Sequence, residues 1–512
     1  MLQKHNLCNG ADKVIEYPLR SGSRTARALD WLLNIEKLFF GEFFMKNNSD
    51  RKSVLTCRER VLKALNYEQV DRIPVDLGGT LGTGAHVSVI AGLRRALGLD
   101  KPGTPVKVVE IYQMLGEVAA DLRDALEIDV VNLPGPKNHF GFPDADYKPW
   151  RTFEGTDVLI PGKFNTEPEP NGDILQYPQG DKSAPPSGRM PKGGFYFDDI
   201  VRQEPIDDAK LDPADNLEDF ALIGEEDLKI YERRARELYD NTDLAITAGF
   251  PGTAFGDIAL VPGAFLKHPK GIRDIEEWYI STITRREYIK EVFAGQAEIA
   301  IKNLERIHQA VGDRVHVVWL DGTDLAAQNT LFCSPDTYRE LYLPYSRKLN
   351  DWIHAQTKWK SMKHCCGGCE PLIEGFIEAG FDVLNPVQTS AAGMDPQGLV
   401  EKYGGRIVFW GGGVDTQQTL PFGNPDQVRR QVTERMRIFN RKNGFVFATI
   451  HNIQCNTPTE NVLAMFEALG RQVNQNSKCK NKELVIVKRC YVFRKKAIPI
   501  PINTNQDEAA TQ

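Results

Sequence analysis

The chain has 512 residues, 41% of them hydrophobic, and a formal net charge of -6 with both signs mixed along its length. That length suits one large domain with insertions or two to three domains, and the charge balance argues against a nucleic-acid-binding surface. Nine irregularly spaced cysteines do not make a secreted disulfide framework, which points to a reducing cytoplasm, and no apolar run approaches the roughly 20 residues that span a bilayer.

Residues 1–52 read as an N-terminal extension in which "LDWLLNIEKLFFGEFF" has the spacing of an amphipathic helix. The main domain is expected over 53–472. It opens on "SVLTCRERVLKALNYEQVDRIPVDL", where Ser53 or Thr56 caps a helix and Glu59 completes a capping box with Thr56. Leu55, Val61, Leu62 and Leu65 form its apolar stripe. Asp71 to Pro74 end the helix, "IPVDL" reads as a first strand, and "DVVNL" supplies another. From 150 to 200, Asn-Gly, Gly-Asp and Pro-rich turns separate short aromatic or β-branched runs. That is hairpin chemistry and predicts a small antiparallel β insertion.

From about 245 short β-rich runs recur: "LAITAGF", "VHVVWLDG", "WKSMKHC", "FDVLNPVQ", "RIVFWGGG" and "GFVFATIHN". Helical stretches alternate with them, such as "SPDTYRELYLPYSRKLNDWIHAQ" and "PDQVRRQVTERMRIFNRKNG". The alternation predicts a parallel α/β sheet, open or closed into a (β/α)8 barrel. Most runs end in polar or small residues: Asp321 and Asp324, His364 and Cys366, Asn385 and Gln388, then His451 and Asn452. A barrel gathers all its strand ends at one mouth, so this pattern favours a TIM-like barrel over an open sheet. The glycines at 411–413 read as a tight turn. Residues 473–512 hold one β-like run and a polar tail, a C-terminal extension expected to be partly disordered.

"MKHCCGGCEPL", residues 362–372, is the densest piece of chemistry. Residues i and i+2 of a strand share a face. His364 and Cys366 therefore enter the mouth, Cys365 packs behind, and Cys369 begins a helix. Imidazole plus thiolate suits zinc, with a further ligand from elsewhere, and His451 or Cys455 at the last strand end are the candidates. Buried inert thiols around a Gly-Gly turn, and a redox pair of Cys366 and Cys369, are the competing readings.

These ordered segments, with "KHCCGGCEPLIEGFIEAGFDVLNPVQ" and "HNIQCNTPTENVLAMFEA" at their centre, resemble the uroporphyrinogen decarboxylase superfamily. Over roughly 53–472 they are most similar to its cobalamin-dependent branch, which includes proteins like methylcobalamin:coenzyme M methyltransferase. The resemblance implies a (β/α)8 barrel. The decarboxylases hold substrate carboxylates with arginines just after the first strand. Here that position reads "LGGTLGTGAH", without arginine, which argues against uroporphyrinogen as substrate. The methyltransferases hold zinc with a His-x-Cys pair, matched by His364 and Cys366, and a later cysteine. Counting back from Pro458, that cysteine's place falls on His451, while the decarboxylases also carry a histidine there; Cys455 is the alternative ligand.

The resemblance thus implies zinc-dependent methyl transfer between a corrinoid, as methylcobalamin or on a corrinoid protein, and a small thiol-type acceptor, with no nucleic-acid or membrane partner. Asp324 would be catalytic, or would orient a ligating histidine. Gln328, Asn385, Gln388 and Asn452 would bind the acceptor, although ordinary strand-end hydrogen bonding explains Gln328 and Gln388 equally well. The other readings are a carboxy-lyase acting on a different acid and a non-catalytic corrinoid-binding accessory protein.

Overall fold

The computed structural model describes residues 55–470. The two expected extensions, and Ser53, lie outside the described residues. Helix α1 (Cys57–Leu65) starts at Thr56, whose hydroxyl accepts from the Glu59 N–H while the Glu59 carboxylate accepts from the Thr56 N–H across 2.8 Å. Two orphan amides of the first turn are thereby satisfied by the residues read as a capping box.

Strands β1 (Val106–Glu110) and β2 (Leu115–Gly116) branch away from the barrel, and β3 (Val130–Leu133) enters it. The insertion contributes β4 (Lys148–Arg151), β5 (Asp157–Ile160), β6 (Ile174–Gln176), β7 (Gly188–Met190) and β8 (Asp198–Asp199). Then β9 (Ala245–Gly249), β10 (Val317–Asp321), β11 (Lys360–His364), β12 (Val383–Asn385), β13 (Val408–Trp410) and β14 (Phe445–Val446) complete the barrel. The insertion is antiparallel in all its pairings but one. Strand β1 joins β5 in parallel, with Val106 opposite Val158, because a long crossover through β3 separates them in sequence and permits that direction.

The barrel sheet runs β14-β13-β12-β11-β10-β9-β3, every pair parallel. Residues 73–77 close the gap between β14 and β3. On one side the Asp76 N–H donates to Phe447 O and the Phe447 N–H to Pro74 O, both at 2.8 Å. On the other the Asp129 N–H donates to Val75 O at 2.8 Å. The result is a TIM-like α/β barrel of seven strands and one extended eighth stave. The same seam continues upward, where Ala85 pairs with Ile453.

The inner wall is layered by strand parity. Val130, Ala245, Val317, Met362, Val383, Val408 and Val446 form one buried cluster with Val61, Ala64 and Leu65 of α1, which plugs that end of the barrel. Each fully buried aliphatic side chain of this kind contributes about 1.5–3 kcal/mol. Two residues further along β9 to β13, parity points Thr247, Trp319, His364, Asn385 and Trp410 inward. The polar layer therefore sits on an apolar floor.

The stretch 334–356, read as one helix, is two: Pro335–Leu341 and Leu343–Gln356. Pro344 has no N–H for the Glu340 carbonyl, so the ladder breaks at Tyr342. Among the described residues no helix is long and apolar enough to cross a membrane.

Candidate metal centre

The turn after β11 distributes its four metal-capable groups in different directions. Gly367 has φ +85°, and a Cβ there would lie 2.6 Å from the carbonyl oxygens of Ala326 and Ala327. Only glycine fits this close approach. Cys365 is buried behind the turn, where its Sγ accepts from the Leu325 N–H at 3.3 Å. Cys369 precedes the helix Glu370–Glu378, and its thiol faces the Cys365 carbonyl at 3.7 Å. His364 and Cys366 meet each other, with Nε2 to Sγ at 3.4 Å.

His451, just beyond β14, joins them. The donor atoms of His364, Cys366 and His451 all lie within 4.8 Å of one another, and the two imidazoles meet edge to face with centroids 5.6 Å apart. Asp324 Oδ1 accepts from the Cys366 N–H at 2.6 Å and stands 3.8 Å from His364 Nε2. Trp319 stacks on the His364 ring at 4.5 Å.

The donor set suits zinc. The His364 Nδ1 lies 2.8 Å from Asn385 Oδ1, and the Asn385 Nδ2 donates to Trp410 O at 2.9 Å. The second bond fixes which end of the amide faces the ring. Nδ1 therefore carries the proton, and Nε2 presents its lone pair to the cluster. Burial pulls His364 down to about 4; burial and the neighbouring His364 do the same to His451. Both imidazoles are thus neutral ligands at pH 7. Burial and the Asp324 carboxylate push the Cys366 thiol well above its ordinary value, a preference that a bound dication reverses. Two imidazole nitrogens and a thiolate, with a carboxylate alongside, are ligands of the type zinc takes.

Residues 228–472 match the uroporphyrinogen decarboxylase (URO-D) family. Those residues belong to the URO-D family. No curated protein matches the chain. Among solved structures, a methyltransferase from Methanosarcina mazei is similar at 16% identity and a TM-score of 0.45, covering 82% of this chain and 99% of that one. A B12-independent methionine synthase from Shewanella sp. W3-18-1, in complex with selenomethionine, is similar at 12% identity and a TM-score of 0.29, covering 53% and 69%.

The URO-D segment contains all the candidate ligands and most of their surroundings. Gln328 and Gln388 form a chain at the rim. The Gly367 N–H donates to Gln388 Oε1 at 2.7 Å, and Gln388 Nε2 donates to Gln328 Oε1 at 2.9 Å. Both amides thus hold the cysteine turn. Asn385 orients His364. Asn452 accepts from the Gly84 N–H at 2.6 Å and donates to Leu81 O and Gln113 Oε1. It ties down the loop before His86. Cys455 stands apart from the cluster, near Ser88 and His86.

Three neighbours were not singled out from the sequence. Trp319, in "VVWLD", reads as core. Gly82 approaches from outside the URO-D segment, and a Cβ there would lie 3.1 Å from His364 Cε1. Asp257 follows β9, and burial, with Asp324 and Asp321 nearby, pushes it up to about 7 against the pull of the Ala259 N–H. Inward parity is a sequence signal for Trp319; none exists for the two loop residues.

Proposed function

We propose that this chain is a zinc-dependent methyltransferase that moves a methyl group between a corrinoid, either methylcobalamin or a corrinoid protein, and a thiol-type acceptor. The observation that supports this reading is the convergence of His364, Cys366 and His451 within 4.8 Å at the barrel mouth. The sequence resemblance described above supplies the reaction class. These three residues would hold the metal, with Asp324 adjacent. Zinc so held supplies the positive charge that lets an acceptor thiol react as thiolate near neutral pH.

In the transfer the acceptor sulfur forms its bond to the methyl carbon as the cobalt–carbon bond breaks. The electron pair of that bond stays on cobalt, and the thiol proton is released. Asp324, beside the cluster, would take that proton. Its carboxyl is raised by burial, while the Cys366 N–H holds Oδ1 in place. Trp319 and Gly82 wall the His364 ring and limit water around it. Gln328 and Gln388 fix the turn that carries Cys366. A reducing cytoplasm suits a site that depends on a free thiol.

Metal content and methyl transfer from methylcobalamin to small thiols test the proposal together. The expected result is zinc bound at the mouth that is lost in His364→Ala and Cys366→Ser along with transfer. Metal-free wild-type protein that decarboxylates an organic acid would overturn it, as would zinc-loaded protein inert with methylcobalamin and every thiol offered.

A further inference from the structure

We propose that a second metal ion, held by His86, Glu154 and Cys455, staples the closing seam of the barrel to the β insertion. The donor atoms of these three residues lie within 4.8 Å of one another. They come from three separate pieces of the fold. His86 caps the helix Val87–Ala96, Glu154 lies in the turn between β4 and β5, and Cys455 follows the last strand. Beside them His86 N–H donates to Ile453 O, and Ile453 N–H to Gly84 O, both at 2.9 Å. A metal here would cross-link the seam where no continuous ladder holds it.

Glu154 supplies the independent observation. Both its carboxylate oxygens are shielded from solvent and meet no hydrogen-bond donor among the described residues. A buried carboxylate with no donor is costly unless a cation satisfies it. One contact sets the tautomer of His86. Its Nε2 lies 3.1 Å from Phe195 O, so the ring proton goes to that carbonyl and Nδ1 keeps the lone pair. Nδ1 accepts from the Ser88 N–H at 3.2 Å and lies 2.8 Å from Ser88 Oγ, which is also 3.5 Å from Cys455 Sγ. A metal ion on Nδ1 and Sγ would take the place of these Ser88 contacts. Nitrogen, sulfur and carboxylate together select zinc over magnesium or calcium. His86 and Glu154 precede residue 228 and so lie outside the URO-D segment.

The full chain carrying His364→Ala and Cys366→Ser isolates this site. Dialysed against zinc, it is expected to retain about one ion per chain. With cobalt(II) it should show thiolate-to-metal charge-transfer absorption, and its thermal midpoint should fall on chelation. Adding Cys455→Ser should abolish that absorption, and Glu154→Gln should weaken zinc about tenfold or more. A folded double variant that retains no zinc overturns the proposal, and so does cobalt absorption unchanged by Cys455→Ser. If the double variant does not fold, the unsubstituted chain decides. Loss of about one zinc per chain on Cys455→Ser alone supports the staple, and unchanged zinc content overturns it. Failure of the first centre reads differently, as zinc that survives His364→Ala and disappears with Cys455→Ser.

Discussion

The His364 Nδ1 and Asn385 Oδ1 lie 2.8 Å apart across neighbouring strands, in register on β11 and β12. This bond sets the tautomer and aims Nε2 at Cys366. Asn385→Ala should leave the barrel folded but free the ring to rotate. Zinc affinity, measured by competition with a chelator, is expected to fall about 10–100-fold. Unchanged affinity would mean that Trp319 stacking alone fixes the ring.

The two adjacent cysteines should behave differently. Cys366→Ser removes a donor from the cluster and is expected to cost about one zinc per chain, the ion at the mouth, with little change in unfolding midpoint. Cys365→Ser alters a buried sulfur that accepts from Leu325. It should cost on the order of 1–2 kcal/mol of stability and keep the zinc. Urea unfolding and metal analysis on the same samples separate the outcomes; zinc loss in Cys365→Ser would refute the assigned parity.

That parity was legible because strand period 2 is rigid: once Met362 faces the floor, His364 and Cys366 must face the mouth. The capping box at Thr56 and Glu59 was legible for a similar reason, since it is local. The polar amides were harder. Asn385 and Asn452 read as ligand-binding groups, and Gln388 equally as an ordinary strand-end hydrogen bonder; all three also bind groups of the protein itself, because buried amides and loop N–H groups must find partners. Gly82 and Asp257 depend on the paths of two loops over the barrel, which no local pattern encodes. The break at Pro344 is in the sequence, since proline removes the N–H that residue 340 needs.

The underside of the barrel rests on one carboxylate. Asp129 is fully buried and meets Arg60 Nη1 at 2.5 Å, Arg72 Nη1 and Nη2 at 2.6 and 2.8 Å, and the Val75 N–H at 2.8 Å. It joins α1, the eighth stave and β3. Asp129→Ala leaves two guanidiniums short of a counter-charge, although Arg60 keeps Asp71 at 2.7 Å. The expected cost is about 3 kcal/mol, read from denaturant unfolding. Asp71→Ala, at a more exposed carboxylate, should cost less; the reverse order would contradict the assigned network.

Asp257 gives the fold a pH dependence whose sign is fixed. Its ordinary value is 3.8, and the folded chain raises it to about 7. Between these values the folded state holds a proton that the unfolded state has released. Stability from this group is therefore full below about pH 4 and declines as pH rises through about 7. Asp257→Asn keeps the Oδ1 acceptor for the Ala259 N–H, which now lies at 3.0 Å, and removes the titration. Unfolding midpoints at pH 5 and pH 8, measured with chelator present, should show the wild type losing about 2 kcal/mol more than the variant. Asp76, raised to about 6 mainly by burial, contributes equally to both proteins and cancels in the comparison. Parallel pH profiles for the two proteins would show that Asp257 titrates near its ordinary value and that its carboxylate is solvated in the folded chain.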